Sequence, residues 1–287
     1  MLFCKRLTLI LNFRYNLGMI TFKQYLRQST TYKIFRAFLR ELIDFLTTFG
    51  AIVENGLLTL KYIVTFQINF RELMDQCVRF GISSLPITLS IVGMTSLIVT
   101  SQVASEMVKQ GGGNFVGLLI SILIVREVGA IMSGFAIISM IGSSLASEIA
   151  TMRVTEQIDA VRVLKVDPIR YLFVPRVLSG IIMMPIIVVI ASAFGIIAGG
   201  VTTAMTTELG YRAYFDSVWL GIYMKDLGVC LLKSLCFGGT IALISCACGY
   251  QATGGAKGVG LATTKAVVWS FVAIVIWDMI FAIAFFF

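Results

Sequence analysis

From Ile82 to Ser105 the chain runs for 24 residues without one ionisable side chain, bounded by Arg79 and Glu106. A bilayer core about 30 Å thick is crossed by about 20 helical residues. Inside lipid, every backbone N–H and C=O must find its partner within the segment or in a closed barrel. A run this long and this apolar is therefore predicted to be a membrane-spanning helix. Pro86 falls in its first turn, where a missing N–H costs little.

Four further stretches fit the same description. Asn114 to about Ala150 would make a helix of about 55 Å at 1.5 Å per residue, longer than the bilayer, so its end should project into water. Val177 to Thr207 is uncharged, with Pro185 a candidate kink. Gly228 to Gly249 contains Lys233, and Ala266 to Phe287 contains Asp278. Only 13% of the chain is charged, about half of what a soluble domain carries. The expected fold is all-α and polytopic, with five transmembrane helices.

Ahead of these spans, Ile34, Phe35, Phe38, Leu39, Leu42, Phe45 and Leu46 follow helical spacing, with Lys33, Arg36, Arg40 and Asp44 on the other side. That pattern predicts an amphipathic interfacial helix. Its continuation toward Phe70 is interrupted by Glu54 and Lys61, so it should lie along the surface rather than cross; a sixth span there is the alternative. The organisation read from the sequence is a basic arm at 1–32, an interfacial helical segment at 33–81 and a five-span domain at 82–287. Eight Lys/Arg precede the first acid, Glu41, and the first serine is Ser29. This composition favours a retained arm over a Ser-rich cleaved presequence. With the N-terminus inside, 18 of the 23 Lys/Arg lie on the cytosolic side, and Lys109, Arg212 and Lys225 on the other. The positive-inside rule therefore predicts a cytosolic N-terminus and an external C-terminus.

Several function classes are excluded or disfavoured. With no histidine, the chain lacks the commonest general base and metal ligand. No catalytic residue and no metal site is expected. The cysteines are Cys4, Cys77, Cys230, Cys236, Cys246 and Cys248; Cys246-x-Cys248 lacks the CxxC spacing of zinc and redox motifs, and packing is the expected role. There is no GxxxxGK[ST] loop; Gly254-Gly255-Ala256-Lys257-Gly258 has the wrong spacing and reads as a tight turn. No feature points to nucleic acid.

Two constellations carry possible chemistry. Between spans two and three, Thr155 is a candidate N-cap with Glu156 in the first turn, Val154, Ile158 and Val161 form an apolar stripe, and Asp167-Pro168 should end the helix. On residue pattern alone this is a loop helix packed on its own protein. The second constellation is Arg126, Glu127, Lys233 and Asp278, charges within spans that cost on the order of 3 kcal/mol each at the bilayer centre. They read either as a structural ion cluster or as a polar path for a headgroup. Gly195-x-x-x-Gly199, followed by Gly200, permits close helix approach.

Residues 126–176, REVGAIMSGFAIISMIGSSLASEIATMRVTEQIDAVRVLKVDPIRYLFVPR, resemble the signature region of the MlaE/YrbE permeases, a group with bacterial phospholipid-transport members and a chloroplast inner-envelope branch. A second stretch, GYQATGGAKGVGLATTKAVVWS from Gly249 to Ser270, is similar to that family's loop before its last span, and TGGAKGVG resembles the cyanobacterial and plastid branch. The chain departs from the family at Ser139-Met140, where Gly-Arg is usual, so any role of that Arg is not carried over.

The resemblance implies the permease subunit of an ABC-type lipid transporter: a homodimer bound to an ABC ATPase subunit that holds ATP and Mg, an MCE-type lipid-binding protein, and a phospholipid or related polar lipid as substrate. It implies no cofactor on this chain. It assigns the helix between spans two and three as a cytosolic coupling helix, with Arg153, Glu156, Gln157, Ile158, Asp159 and Ala160 matching the ATPase-facing positions. It places the charged residues of the spans near the lipid path. The membrane would be a bacterial inner membrane or a plastid inner envelope, with a cytosolic or stromal N-terminus. The competing class is a secondary transporter of an amphipathic or anionic solute, which would favour internal repeats and discontinuous helices; neither is visible. A membrane-embedded enzyme is disfavoured by the missing histidine.

Overall fold

The computed structural model describes residues 30–65, 69–207 and 210–286, which are helical nearly throughout and contain no β-strand. The chain divides into two compact units, Met1–Ala51 and Ile52–Phe287. Helix α1 spans Thr30–Val64. The basic arm's Lys5, Arg6, Arg14, Lys23 and Arg27 lie outside the described residues, as do the side chains of Lys33, Arg36, Arg40 and Asp44.

Among the described residues, five helices are long and apolar enough to cross a membrane: Phe70–Lys109, Gly113–Val154, Pro168–Thr206, Met224–Tyr250 and Gly255–Phe286. This is the expected all-α, five-span integral membrane architecture; α1 is not among the five. The first span consists of α2 (Phe70–Ile82) and α3 (Leu85–Lys109), with Pro86 in the first turn of α3. The second is built of α4 (Val116–Leu123), α5 (Gly129–Ile137) and α6 (Ser143–Val154), joined by π-helical turns at Ile124–Val128 and Ile138–Gly142. Helix α7 (Gln157–Val163) precedes the third span, α8 (Pro168–Thr206), which carries Pro175 and Pro185 inside it. A short α9 (Tyr211–Gly221) leads to the fourth and fifth spans, α10 (Met224–Tyr250) and α11 (Gly255–Phe286).

Helix α8 is central to the second unit, packed between α3 and α10, while α10 also packs on α11 and α6. A close crossing lies between α8 and α10 at Gly180 and Gly238, where a Cβ on either glycine would overlap the other's backbone carbonyl. In lipid, tails are as apolar as side chains, so association rests on such close backbone approach rather than on water release. The expected Gly195/Gly199/Gly200 face is used within the chain: Gly195 lies against Val92 and Ser96 of α3, and Gly199 and Gly200 against Tyr214 of α9. Ser96 Oγ donates to the Gly195 carbonyl at 2.5 Å, and Tyr214 Oη to that of Ile196 at 3.1 Å. Buried hydroxyls such as Thr88 and Thr203 donate to carbonyls four residues back, which satisfies them inside their own helices.

Two local expectations are corrected. Thr155 does not cap α7; it ends α6, its hydroxyl donating to the Thr151 carbonyl at 2.8 Å. The turn into α7 is made by Glu156 in the left-handed region at φ 61°. Asp167-Pro168 does not end α7, which stops at Val163, with Lys165 left-handed at φ 59°. Instead Asp167 caps α8, accepting from Ile169 N at 2.9 Å, and Pro168 takes the first turn, where its missing N–H costs nothing. Gly254 (φ 91°) and Gly255 (φ 70°) form the expected tight turn before α11.

Candidate functional site

The first π turn widens the second span at Arg126 and Glu127. A π turn bonds i to i+5, which displaces a carbonyl from the usual ladder and re-aims the side chains beside it. Lys233 of α10 meets this point: its Nζ donates to the Arg126 carbonyl at 2.9 Å, and pairs with Glu127 Oε2 at 3.1 Å and Asp278 Oδ1 of α11 at 2.6 Å. The ammonium donates to two of these oxygens, and the contact with Asp278 is an ion pair. The Lys233 side chain has 0% exposure. Beside it, Arg126 Nη2 pairs with Asp226 Oδ2 at 2.9 Å, and its guanidinium lies 4.4 Å from the centre of the Phe286 ring. Arg126 keeps 32% of its side-chain surface exposed, Asp226 only 3%.

Thus Arg126, Glu127, Lys233 and Asp278, singled out from sequence, come together in one cluster that ties three spans. Asp226 was missed because it sits at the polar edge of the fourth span. The signal was present: seven residues before Lys233, it shares that residue's face of α10. The cluster belongs to the end of the bundle where α10 begins and α11 stops, opposite α7.

At the other end α7 is held from three directions. Ile158 is fully buried in a cluster with Ile149, Leu172, Phe173 and Cys246. Arg153 Nη1 donates to Asp159 Oδ1 at 3.0 Å, and Arg162 lies 3.5 Å from the same oxygen. Arg162 also donates to the hydroxyl of Tyr250, the last residue of α10. Glu148 of α6 pairs with Arg176 of α8 at 3.0 Å and with Arg79 of α2 at 3.7 Å. Of the six sequence-picked positions, Glu156, Gln157, Asp159 and Ala160 are exposed, Arg153 is half-buried against Asp159, and Ile158 points inward. Beyond them, Val163 (82% exposed) and Leu164 (75%) project from the end of α7. Sequence reasoning passed over these two because an apolar pair looks like core until its neighbours are placed.

Among the described residues no cluster of His, Cys, Asp or Glu could hold a metal ion. Cys230, Cys246 and Cys248 are buried free thiols, while Cys77 and Cys236 are half-buried.

Comparison with known proteins gives a consistent answer. The family model described as permease MlaE matches residues 73–284. A probable ABC transporter permease protein from Synechocystis sp. is 39% identical over 215 residues, covering 75% of this chain and 82% of that protein. Another, from Rickettsia typhi, is 32% identical over 234 residues, covering 82% and 90%. The chloroplastic Arabidopsis thaliana protein named TRIGALACTOSYLDIACYLGLYCEROL 1 is 32% identical over 220 residues, covering 77% of this chain and 63% of that protein.

Proposed function

This chain belongs to the MlaE permease family, and from that premise we propose that it is the membrane half of an ABC-type transporter that moves a polar lipid, using ATP hydrolysed with Mg on a separate ATPase subunit. The observation that carries the reading is the charged cluster built across three apolar spans, with Arg126 at its exposed edge. A lipid headgroup phosphate is an anion whose oxygens suit an arginine fork. The fully enclosed Lys233, with Glu127 and Asp278, acts as the frame that keeps the π turn open, and Arg126 is the contact. A polar lipid is also supported by the relative whose name contains trigalactosyldiacylglycerol.

The ATPase docks on the α7 end. Glu156, Gln157 and Asp159 offer it a polar face beside the exposed Ala160, and Val163 with Leu164 an apolar tip that water disfavours. Because Ile158, Asp159 and Arg162 tie α7 to α8, α6 and α10, a push on α7 reaches the spans directly. Two copies of the chain would then form the transporter with an MCE-type lipid-binding protein. The 18-to-3 distribution of Lys/Arg supports a cytosolic or stromal α7 end and N-terminus, in a bacterial inner membrane or a plastid inner envelope.

The test is purification of the tagged chain from its own membranes. An ATPase subunit should accompany it, and reconstituted vesicles should move a polar lipid on ATP addition, with Arg126→Gln slowing movement about tenfold, as one charge-assisted contact would. A chain that purifies alone and is driven by an ion gradient belongs instead to the secondary transporters. The cysteine-substituted positions 257 and 212 should label from opposite faces.

A further inference from the structure

Two cavities among the described residues are not used by the transport reading. The first is an apolar groove of about 580 Å³ between α1, α8 and α10, with Thr59 and Ile63 of α1, Val177 and Ile181 of α8, and Thr240 of α10 in its wall. The second is a polar cleft of about 640 Å³ lined by Tyr62, Asn69, Lys165, Asp167, Arg170 and Tyr171. Both volumes fall in the range of small-ligand sites, about 300–1,000 Å³.

Helical periodicity joins them. Arg170, Val177 and Ile181 stand at offsets of seven and eleven on α8, so they share one face, with Val177 about 10 Å and Ile181 about 16 Å further along. On α1, Tyr62 lines the cleft while its neighbours Thr59 and Ile63 line the groove. The charged cleft at the α7 end and the apolar groove therefore adjoin along α1 and share a face of α8. Among its described lining residues the cleft carries two cations, Lys165 and Arg170, and one carboxylate. That carboxylate, Asp167, already accepts from Tyr62 Oη and from Ile169 N, and the bond pushes the Tyr62 phenol above its usual range. Along the groove's rim Val53, Leu57 and Leu60 are exposed apolar residues, which turns its mouth toward lipid rather than water.

We propose that this surface holds one anionic phospholipid, its phosphate between Lys165 and Arg170 and one acyl chain in the groove, as a binding site separate from the Arg126 cluster. The charge excess selects the headgroup, and the apolar wall selects a chain over a free anion. The lipid pins α1 to α8 with its headgroup beside the α7 loop, while the far end of the groove reaches Leu235, Cys236 and Trp277.

The test is native mass spectrometry of the purified full chain, with any subunits that accompany it, equilibrated in micelles with equal phosphatidylglycerol and phosphatidylcholine. Phosphatidylglycerol should be retained about tenfold over phosphatidylcholine, the scale of one or two charge-assisted contacts. Lys165→Gln with Arg170→Gln should erase the preference, and Arg170→Lys should keep most of it at unchanged thermal stability. Thr240→Trp, which fills the groove, should lower retention of both lipids. Lys257→Gln, which removes a charge outside the cleft, should alter nothing. The proposal fails if the preference survives the double variant, if Lys257→Gln lowers it equally, or if Thr240→Trp leaves retention intact. Because the readout is retention, these failures are distinct from a loss of transport in Arg126→Gln.

Discussion

The two ends of the bundle handle charge in opposite ways. At the end where α10 begins, Lys233 has no exposed surface and Asp226 and Asp278 little, so each charge depends on the others for its stability. At the α7 end, Asp159 and Arg162 are about half exposed and water shares their solvation. An enclosed ion whose partner is removed is left without solvent, whereas an exposed one is rehydrated. The first arrangement fixes helices in register; the second can be broken and remade against a partner.

Three substitutions test that contrast. Lys233→Met should be the most damaging, costing about 3–5 kcal/mol because Glu127 and Asp278 are left facing each other. Thermal unfolding in detergent should show this, and adding Glu127→Gln with Asp278→Asn should recover most of it. A single variant as stable as the parent means that water reaches the cluster and erases the distinction. Arg176→Met is intermediate. Arg176 is buried, and also donates to the Leu172 carbonyl at 3.1 Å, but its partner Glu148 is 37% exposed. The expected loss is about 2 kcal/mol, one charged hydrogen-bond set without a stranded ion. Asp159→Asn should shift stability by less than about 1 kcal/mol, as exposed pairs do. ATPase activity stimulated by the permease should nevertheless fall, because α7 loses its tie to Arg153. A large stability loss with normal stimulation would make α7 a frame element like the cluster.

The spans were legible because the membrane imposes one rule on every residue of a segment: no unpaired backbone and no charge without a reason. All five runs read from Ile82–Ser105 onward became helices, and the first gained a whole helix ahead of it, Phe70–Ile82, from the stretch read as interfacial. The family's signature was also legible, since REVGA to VPR is a long string in fixed order. The intramembrane charges could be picked out one at a time because each violates the apolar background. Their partners could not. Whether Lys233 meets Arg126 and Asp278 depends on how α10 is rotated against two other spans and on a π turn that no propensity announces.

The same limit explains the α7 corrections. Thr155 has the chemistry of an N-cap and of a residue whose hydroxyl folds back on its own helix; the left-handed turn at Glu156 chose the second. Composition and order along the chain decided that this protein crosses a membrane five times and which family it belongs to, because lipid acts on each segment separately. Helix rotation and crossing decided which charges are enclosed, that Val163 and Leu164 are exposed while Ile158 is not, and that Gly180 meets Gly238. Those are properties of pairs of helices, and the spacing within one helix does not contain the angle of the next.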